Sequence, residues 1–271
     1  MVIRKVKEGE SKMINSSILE KTRCINKILQ NTEGQYVDYK EIADVLKNVI
    51  RANVYLVDYE GNILGYAVVD EFECEIMVEE VLKKGFFPKR YNDFLLRDDE
   101  LRYNLKQKSH RCAFLYGADC LLTDKLVTVI PIIGGGKRLG TLLLARFGVP
   151  FNDEDLILAE RGATVVGMEI LREKAEEIEE ETRHRAVTKL AVDTLSYSEM
   201  EAMQEVFREL DSNEGLLVAS KIADQLGITR SVIVNALRKL ESAGIVESRS
   251  LGMKGTHIKV LSPYLQEYLE K

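Results

Sequence analysis

The sequence predicts an α+β chain in three parts: a mixed N-terminal domain with an antiparallel sheet, a long linker helix, and a small C-terminal domain of helices and a β-hairpin. Three observations predict it. Two pairs of apolar runs, residues 53–57 with 63–69 and 126–133 with 139–147, each flank a Gly-containing turn. No proline occurs between Pro150 and Pro263, and the first forty residues of that stretch keep helical patterning. The last quarter then shows two helical periods separated by Gly227, followed by two alternating runs with a glycine-rich tip between them.

The N-terminal part opens with two helices. Ser17 and Glu20 have capping-box spacing ahead of Leu19, Ile25, Ile28 and Leu29; Asp38 and Glu41 repeat it ahead of Ile42, Val45, Leu46 and Ile50. The first hairpin follows, turning at Tyr59-Glu60-Gly61-Asn62. Helices are expected at 74–84 and 91–105, then the second hairpin, turning at Gly134-Gly135-Gly136-Lys137-Arg138. That glycine run lacks the GK[ST] ending of a phosphate loop and lies between strands, so it reads as a turn. Asn152 then caps a helix running from 153 to about 194, with or without a break. Its start is apolar (Leu156, Ile157, Leu158, Ala163, Val165, Val166, Ile170, Leu171), which suits pairing with a second copy. Its second half is charged, with Glu179–Arg183 and Glu181–Arg185 in the favourable i,i+4 order. The domain division expected is 1–12 as a disordered extension before Met13, 13–150, the linker helix 151–195, and 196–271.

Composition narrows the class. The chain has 271 residues, enough for two domains of about 150. No apolar run approaches the roughly 18 residues a membrane span needs, and 1–12 has no apolar core of a signal peptide. Four cysteines form no CxxC pair, which suits a reducing cytoplasm; His110, Cys112 and Cys120 lack metal-ligand spacing, so no metal is expected. No Ser/His/Asp set or carboxylate pair points to catalysis. The net charge of −6 argues against indiscriminate nucleic-acid binding. Residues 215–260 are the exception, with Lys221, Arg230, Arg238, Lys239, Arg249, Lys254 and Lys259 against only Asp224, Glu241 and Glu247.

That basic segment has the order of a winged helix-turn-helix. Ser196 and Glu199 open a helix to about Leu210; residues 216–226 form a second; Gly227 turns; Thr229 caps a third, 230–243. The third helix would bury Val232, Ile233, Ala236, Leu237 and Leu240 and expose Arg230, Ser231, Val234 and Asn235. Arg bonds guanine bidentately and Asn bonds adenine, so these are candidate base readers, with Arg238 behind them. Strands 245–250 and 256–260 make the wing, where Ser248, Arg249, Ser250 and Lys254 are placed for backbone phosphates of a duplex operator.

The run ASKIADQLGITRSVIVNALRKLESAGIVESRSLGMKGTHIKV, residues 219–260, resembles the DNA-binding domain of the CodY family of global regulators of low-GC Gram-positive bacteria. DEDLILAERGATVVGMEILREKAEEIEEETR, PIIGGGKRLGTLLLAR and ILEKTRCINKILQ extend the resemblance over about 13–260, most weakly in 71–124. It implies a GAF sensor domain, a linker helix and a winged helix-turn-helix in a homodimer. It also implies repression of nutrient-adaptation genes, with DNA affinity raised by branched-chain amino acids (isoleucine, valine, leucine) and GTP. It adds Ala219 and Ser220 to the DNA-binding set.

The implied effector pocket comprises Phe87, Pro88, Tyr91 and Phe114, with Cys112 in place of Thr and Val78 and Val81 in place of Met. The arginine that grips the effector carboxylate in the family aligns near Met77, so this chain needs another donor: backbone N–H groups, or an arginine such as Arg111. The GTP-linked positions Glu169 and Lys174 are retained, but the first hairpin turn has Tyr59, Glu60 and Asn62 where relatives are basic. These departures leave a second reading open: a DNA-binding regulator that is effector-independent or answers to a different small ligand.

Overall fold

The computed structural model describes residues 17–30, 37–69, 74–106, 110–120, 122, 124–210 and 212–270; the expected extension 1–12 lies outside them. By contact density the chain divides into two units, meeting after Lys174.

The first unit is built on a five-stranded antiparallel sheet in the order β2-β1-β5-β4-β3. Its strands are β1 (Asn53–Asp58), β2 (Ile63–Ala67), β3 (Arg102–Lys106), β4 (Lys125–Gly134) and β5 (Lys137–Phe147). β1, β4 and β5 are buried on both faces, hence their unbroken apolar runs. Alternate residues serve different neighbours. Val54, Leu56, Ile130, Ile132, Leu142 and Leu144 pack against helices α1 (Ile18–Gln30) and α2 (Tyr39–Ile50) and the start of α5 (Asp153–Asp193). Tyr55, Val57, Val129 and Leu143 face the opposite way, toward the segments between β2 and β4. There a short helix, α3 (Glu75–Met77), runs into a π-helical turn, Val78–Leu82, and α4 spans Lys89–Leu95.

Local chemistry sets the boundaries. The Ser17–Glu20 box forms with both bonds; Asp38 instead accepts from Lys40 N–H, one residue short of a box. The β4–β5 hairpin turns on Gly135 and Gly136, both at positive φ, as a tight two-residue turn of this twist requires. Asn152 caps α5 by accepting from Asp155 N–H, and the Asp155 carboxylate returns the bond to Asn152 N–H while pairing with Arg146. α5 then runs 41 residues without a break, about 60 Å of helix.

Two expectations are corrected here. Of the helix expected at 91–105 only 91–95 is helical, within Lys89–Leu95; Arg102–Lys106 is β3, an edge strand with Asn104 at φ 53° breaking its register on β4. Arg183 pairs with Glu180 rather than Glu179, whereas Glu181–Arg185 forms as expected.

The second unit packs α6 (Tyr197–Arg208), α7 (Ala219–Leu226), α8 (Arg230–Ser242) and α9 (Leu265–Leu269) with a three-stranded sheet, β6-β8-β7. β7 spans Val246–Ser250 and β8 Thr256–Val260. Residues 216–217, expected as the start of the second helix, belong instead to β6 (Glu214–Leu217), paired with β8. The core is Met203, Val206, Ile222, Ile233, Leu237, Leu240 and Ile258. The end of α5 belongs to this unit through Ala191 and Val192, and Thr188 shares a buried hydrogen bond with Ser262.

Glu199 ties α6 to α8. Its carboxylate accepts from Ser196 N–H at 2.8 Å and from Lys239 Nζ at 2.6 Å, and Ser196 Oγ caps the helix in return. Burial pushes the Glu199 carboxyl up, but the bonds from Lys239 and Ser196 outweigh it and hold the group below its ordinary value of 4.5. A depressed carboxyl contributes stability that is present above its unfolded pKa and lost as pH falls through the folded one. Acid unfolding of the C-terminal unit is therefore expected to steepen below about pH 4.5, and Glu199→Gln to remove that component. Equal acid slopes for wild type and variant, read from thermal melts between neutral and acid pH, would contradict the assignment.

Candidate nucleic-acid interface and ligand cavity

α7, a turn and α8 form the helix-turn-helix. Gly227 ends α7 in the left-handed conformation (φ 65°), which a residue without Cβ adopts at no steric cost. Thr229 occupies the N-cap position of α8, but its side chain makes no capping bond; its Oγ1 lies 3.4 Å from Ser231 Oγ. Ile233, Ala236, Leu237 and Leu240 are buried, so the opposite face presents Arg230, Ser231, Asn235 and Arg238, all exposed. Val232 and Val234 are half-buried. The wing exposes Arg249, Ser250 and Lys254, the last in a 3₁₀ turn, Gly252–Lys254.

Electrostatic partners sort these residues. Arg230, Arg238, Arg249 and Lys254 form no ion pair among the described residues, so their charges are unspent. Lys239 is committed to Glu199 and the Thr194 carbonyl, and Lys221 pairs with Glu209. Two expected contact residues differ in kind, Ala219 and Ser248. Ser220 is exposed at the start of α7, but Ala219 is buried in the core. Ser248 is half-buried: its N–H and Oγ both donate to the Glu241 carboxylate, which ties the wing to α8.

In the first unit a cavity lies against the sheet face of Tyr55, Val127, Leu143 and Ala145. Its other walls are Cys74, Met77, Tyr91, Cys112, Ala113, Phe114, Cys120, Leu122 and Lys125. The cavity as it stands is small, about 30 Å³, room for a water molecule or two, so a larger ligand must part its walls. Of the pocket residues inferred from sequence, Tyr91, Cys112 and Phe114 line it. Phe87 does not: it is core behind the wall, 2% exposed, its ring 5.3 Å from Tyr91, 5.9 Å from Phe114 and 6.2 Å from Tyr55. Val81 is also core, Val78 is surface, and Pro88 is the N-cap of α4. Met77, expected only as the site of a lost arginine, is itself a wall, and Arg111 is exposed and outside the lining.

Sequence reading missed Tyr55, Cys74, Cys120 and Lys125. The signal available was strand alternation, which places Tyr55 and its cross-strand partner Leu143 on the face away from α2. Burial pushes the Tyr55 and Tyr91 hydroxyls well above the usual tyrosine range, keeping both protonated.

Of the two helix positions that the resemblance links to GTP, one is committed within the fold. Glu169 is 2% exposed, accepting from Val37 N–H at 3.0 Å and pairing with Arg172, so it braces α5 against the start of α2. Lys174 is exposed. At the first hairpin turn Asp58 accepts from the Asn62 N–H and amide, beside exposed Glu60. Among the described residues no cluster of three or more His, Cys, Asp or Glu is placed to hold a metal, and no helix is long and apolar enough to cross a membrane.

A mixed domain with a cavity on one face of its sheet, followed by a long helix and a winged helix-turn-helix, is the architecture of a helix-turn-helix transcriptional regulator carrying a GAF-type domain. Residues 17–194 match the model of the CodY GAF-like domain and residues 213–271 that of the CodY helix-turn-helix domain. The global transcriptional regulator CodY of Clostridium tetani is 55% identical over 256 residues, 94% of this chain and 99% of that one; the protein of that name from Clostridium botulinum strain Okra is 56% identical over the same span. Among solved structures, the cofactor-binding GAF domain of the nutrient sensor CodY from Clostridium difficile is 38% identical, covering 57% of this chain and 98% of that one at a TM-score of 0.41. The chain belongs to the CodY family.

Phe87 is the residue whose place differs most from the expectation. As a core ring it should cost about 3–5 kcal/mol when cut to alanine. Urea unfolding of Phe87→Ala without any ligand measures this, and a loss under about 1 kcal/mol would return Phe87 to the ligand wall.

Proposed function

We propose that the C-terminal unit binds a duplex operator with the N-terminal half of α8 in the major groove, and that a branched-chain amino acid in the sensor cavity raises operator affinity, mainly to repress nutrient-adaptation genes in the cytoplasm. The observation carrying the DNA reading is the row of unpaired cations and polar groups, Arg230, Ser231, Asn235 and Arg238 on α8 with Arg249, Ser250 and Lys254 on the wing. Thr229 and Ser220 flank it. The tied Ser248 and buried Ala219 support it structurally rather than by contact. A homodimer fits this reading, because two half-sites need two heads and the first half of α5 exposes Ile157, Met168 and Leu171.

Arg230→Ala should lose about 1–3 kcal/mol of operator affinity and relax preference at one base. Lys254→Ala should weaken specific and random DNA alike and flatten the salt dependence by about one unit. Gel-shift titrations at several salt concentrations separate the two; an unchanged affinity for folded Arg230→Ala removes that residue from the interface.

For the sensor, the relatives' name and the cavity beside Phe114 support a small effector, and the amino acid is preferred over GTP because Glu169 is committed within the fold. Burying a side chain the size of isoleucine contributes about 1.5–3 kcal/mol. Coupling requires unequal ligand affinity for the DNA-competent and incompetent states. Operator affinity should rise with isoleucine or valine for wild type and not for Phe114→Ala. No change for wild type at millimolar ligand would leave the effector-independent reading, which the absence of an arginine at Met77 favours.

A further inference from the structure

Among the described residues, the cavity walls hold no Asp, Glu, Asn, Gln, Ser or Thr side chain, and the described surface a ligand would meet is mostly apolar, aromatic or thiol. Besides the buried Tyr91 hydroxyl, two polar groups depart from that pattern. Lys125, the first residue of β4, brings an ammonium to the cavity with no carboxylate partner among the described residues; its Nζ sits 5.7 Å from the centroid of the Phe114 ring. Such a contact stabilises a cation without neutralising it. Tyr55, in the middle of β1 and 2% exposed, carries a buried hydroxyl with no hydrogen-bond partner. A buried donor left unpaired is costly, and folded proteins rarely keep one without a reason. This hydroxyl lies within electrostatic reach of Cys74 and Tyr91, both of them cavity walls.

We propose that Lys125 and Tyr55 together grip the carboxylate of a branched-chain carboxylate ligand, a role for which the described cavity walls offer no arginine. The inference rests on the sensing reading above and names its anion site. Lys125 supplies the charge and Tyr55, on another strand of the same sheet, a neutral O–H donor. The branched side chain then lies among Met77, Phe114, Val127 and Leu143. Among the described walls Lys125 offers a carboxylate a charge partner and no side-chain carboxylate offers one to an α-ammonium, so the carboxylate is the recognised end. Isoleucine and its 2-oxo acid, 3-methyl-2-oxopentanoate, both satisfy that requirement; 2-methylbutylamine, which has the branch and the amine but no carboxylate, does not.

The test is calorimetric titration of the full chain with these three compounds, for wild type, Lys125→Met, Lys125→Arg and Tyr55→Phe. A carboxylate ligand should bind wild type and weaken by at least about tenfold in Lys125→Met and several-fold in Tyr55→Phe, with partial recovery in Lys125→Arg. The amine should not bind. Tyr55→Phe removes one oxygen from an otherwise unchanged packing position, so it reports on the grip even if Lys125→Met disturbs the rim. If isoleucine binds all four proteins equally, or the amine binds as well as the acids, the grip is overturned while the sensing reading stands. If the 2-oxo acid binds through Lys125 and isoleucine does not, the grip stands and the amino-acid reading falls. If neither acid binds wild type at millimolar concentration, both are overturned.

Discussion

The N-terminal unit depends on one constraint, a sheet whose central strands must satisfy two different faces at once. Along β1 and β5 each residue is committed to the helical side or the cavity side by the two-residue period of the strand. Val54 and Leu56 cannot be exchanged with Tyr55 and Val57 by any one-residue slip without emptying the core under α2. The antiparallel pairing of β1 with β5 holds this register and sets Tyr55 opposite Leu143. Glycine serves the same packing elsewhere: a Cβ on Gly65 would lie 2.6 Å from the Tyr39 backbone, so α2 can approach β2 only over a residue without a side chain.

The C-terminal unit solves a different problem, keeping some charges and releasing others. Lys239 and Lys221 are held by glutamates within the unit, while Arg230, Arg238, Arg249 and Lys254 are left without such partners. The distinction is invisible in a count of basic residues. A local excess of positive charge says that a surface suits a polyanion; only the pairing says which cations are available to it.

How much was legible follows from which signals are local. The helix-turn-helix was readable because its information lies within 219–243: apolar spacing, a left-handed glycine and a second apolar period. The long helix was readable from an absence of proline. β6 was misread because its apolar pair Leu216-Leu217 abuts α7, and its strand partner is some forty residues away in β8. β3 was misread for a similar reason, its Leu105 continuing the spacing of α4 across an irregular link. The cavity was legible only in part. Phe114 and Tyr91 came through likeness to a family, but Lys125 and Tyr55 meet there through tertiary placement that no short pattern encodes, and Phe87 was drawn one layer too far forward.

The tie between Ser248 and Glu241 has a kinetic meaning for a protein that reads a polyanion. Two hydrogen bonds fasten β7 to the C-terminal turn of α8, so the hairpin beyond it does not swing independently of the helix. The span from Arg230 to Lys254 is set before any partner arrives. Encounter then loses little conformational entropy in arranging the head, and discrimination falls on dwell time instead: a mismatched site must be met by the whole preassembled surface or released.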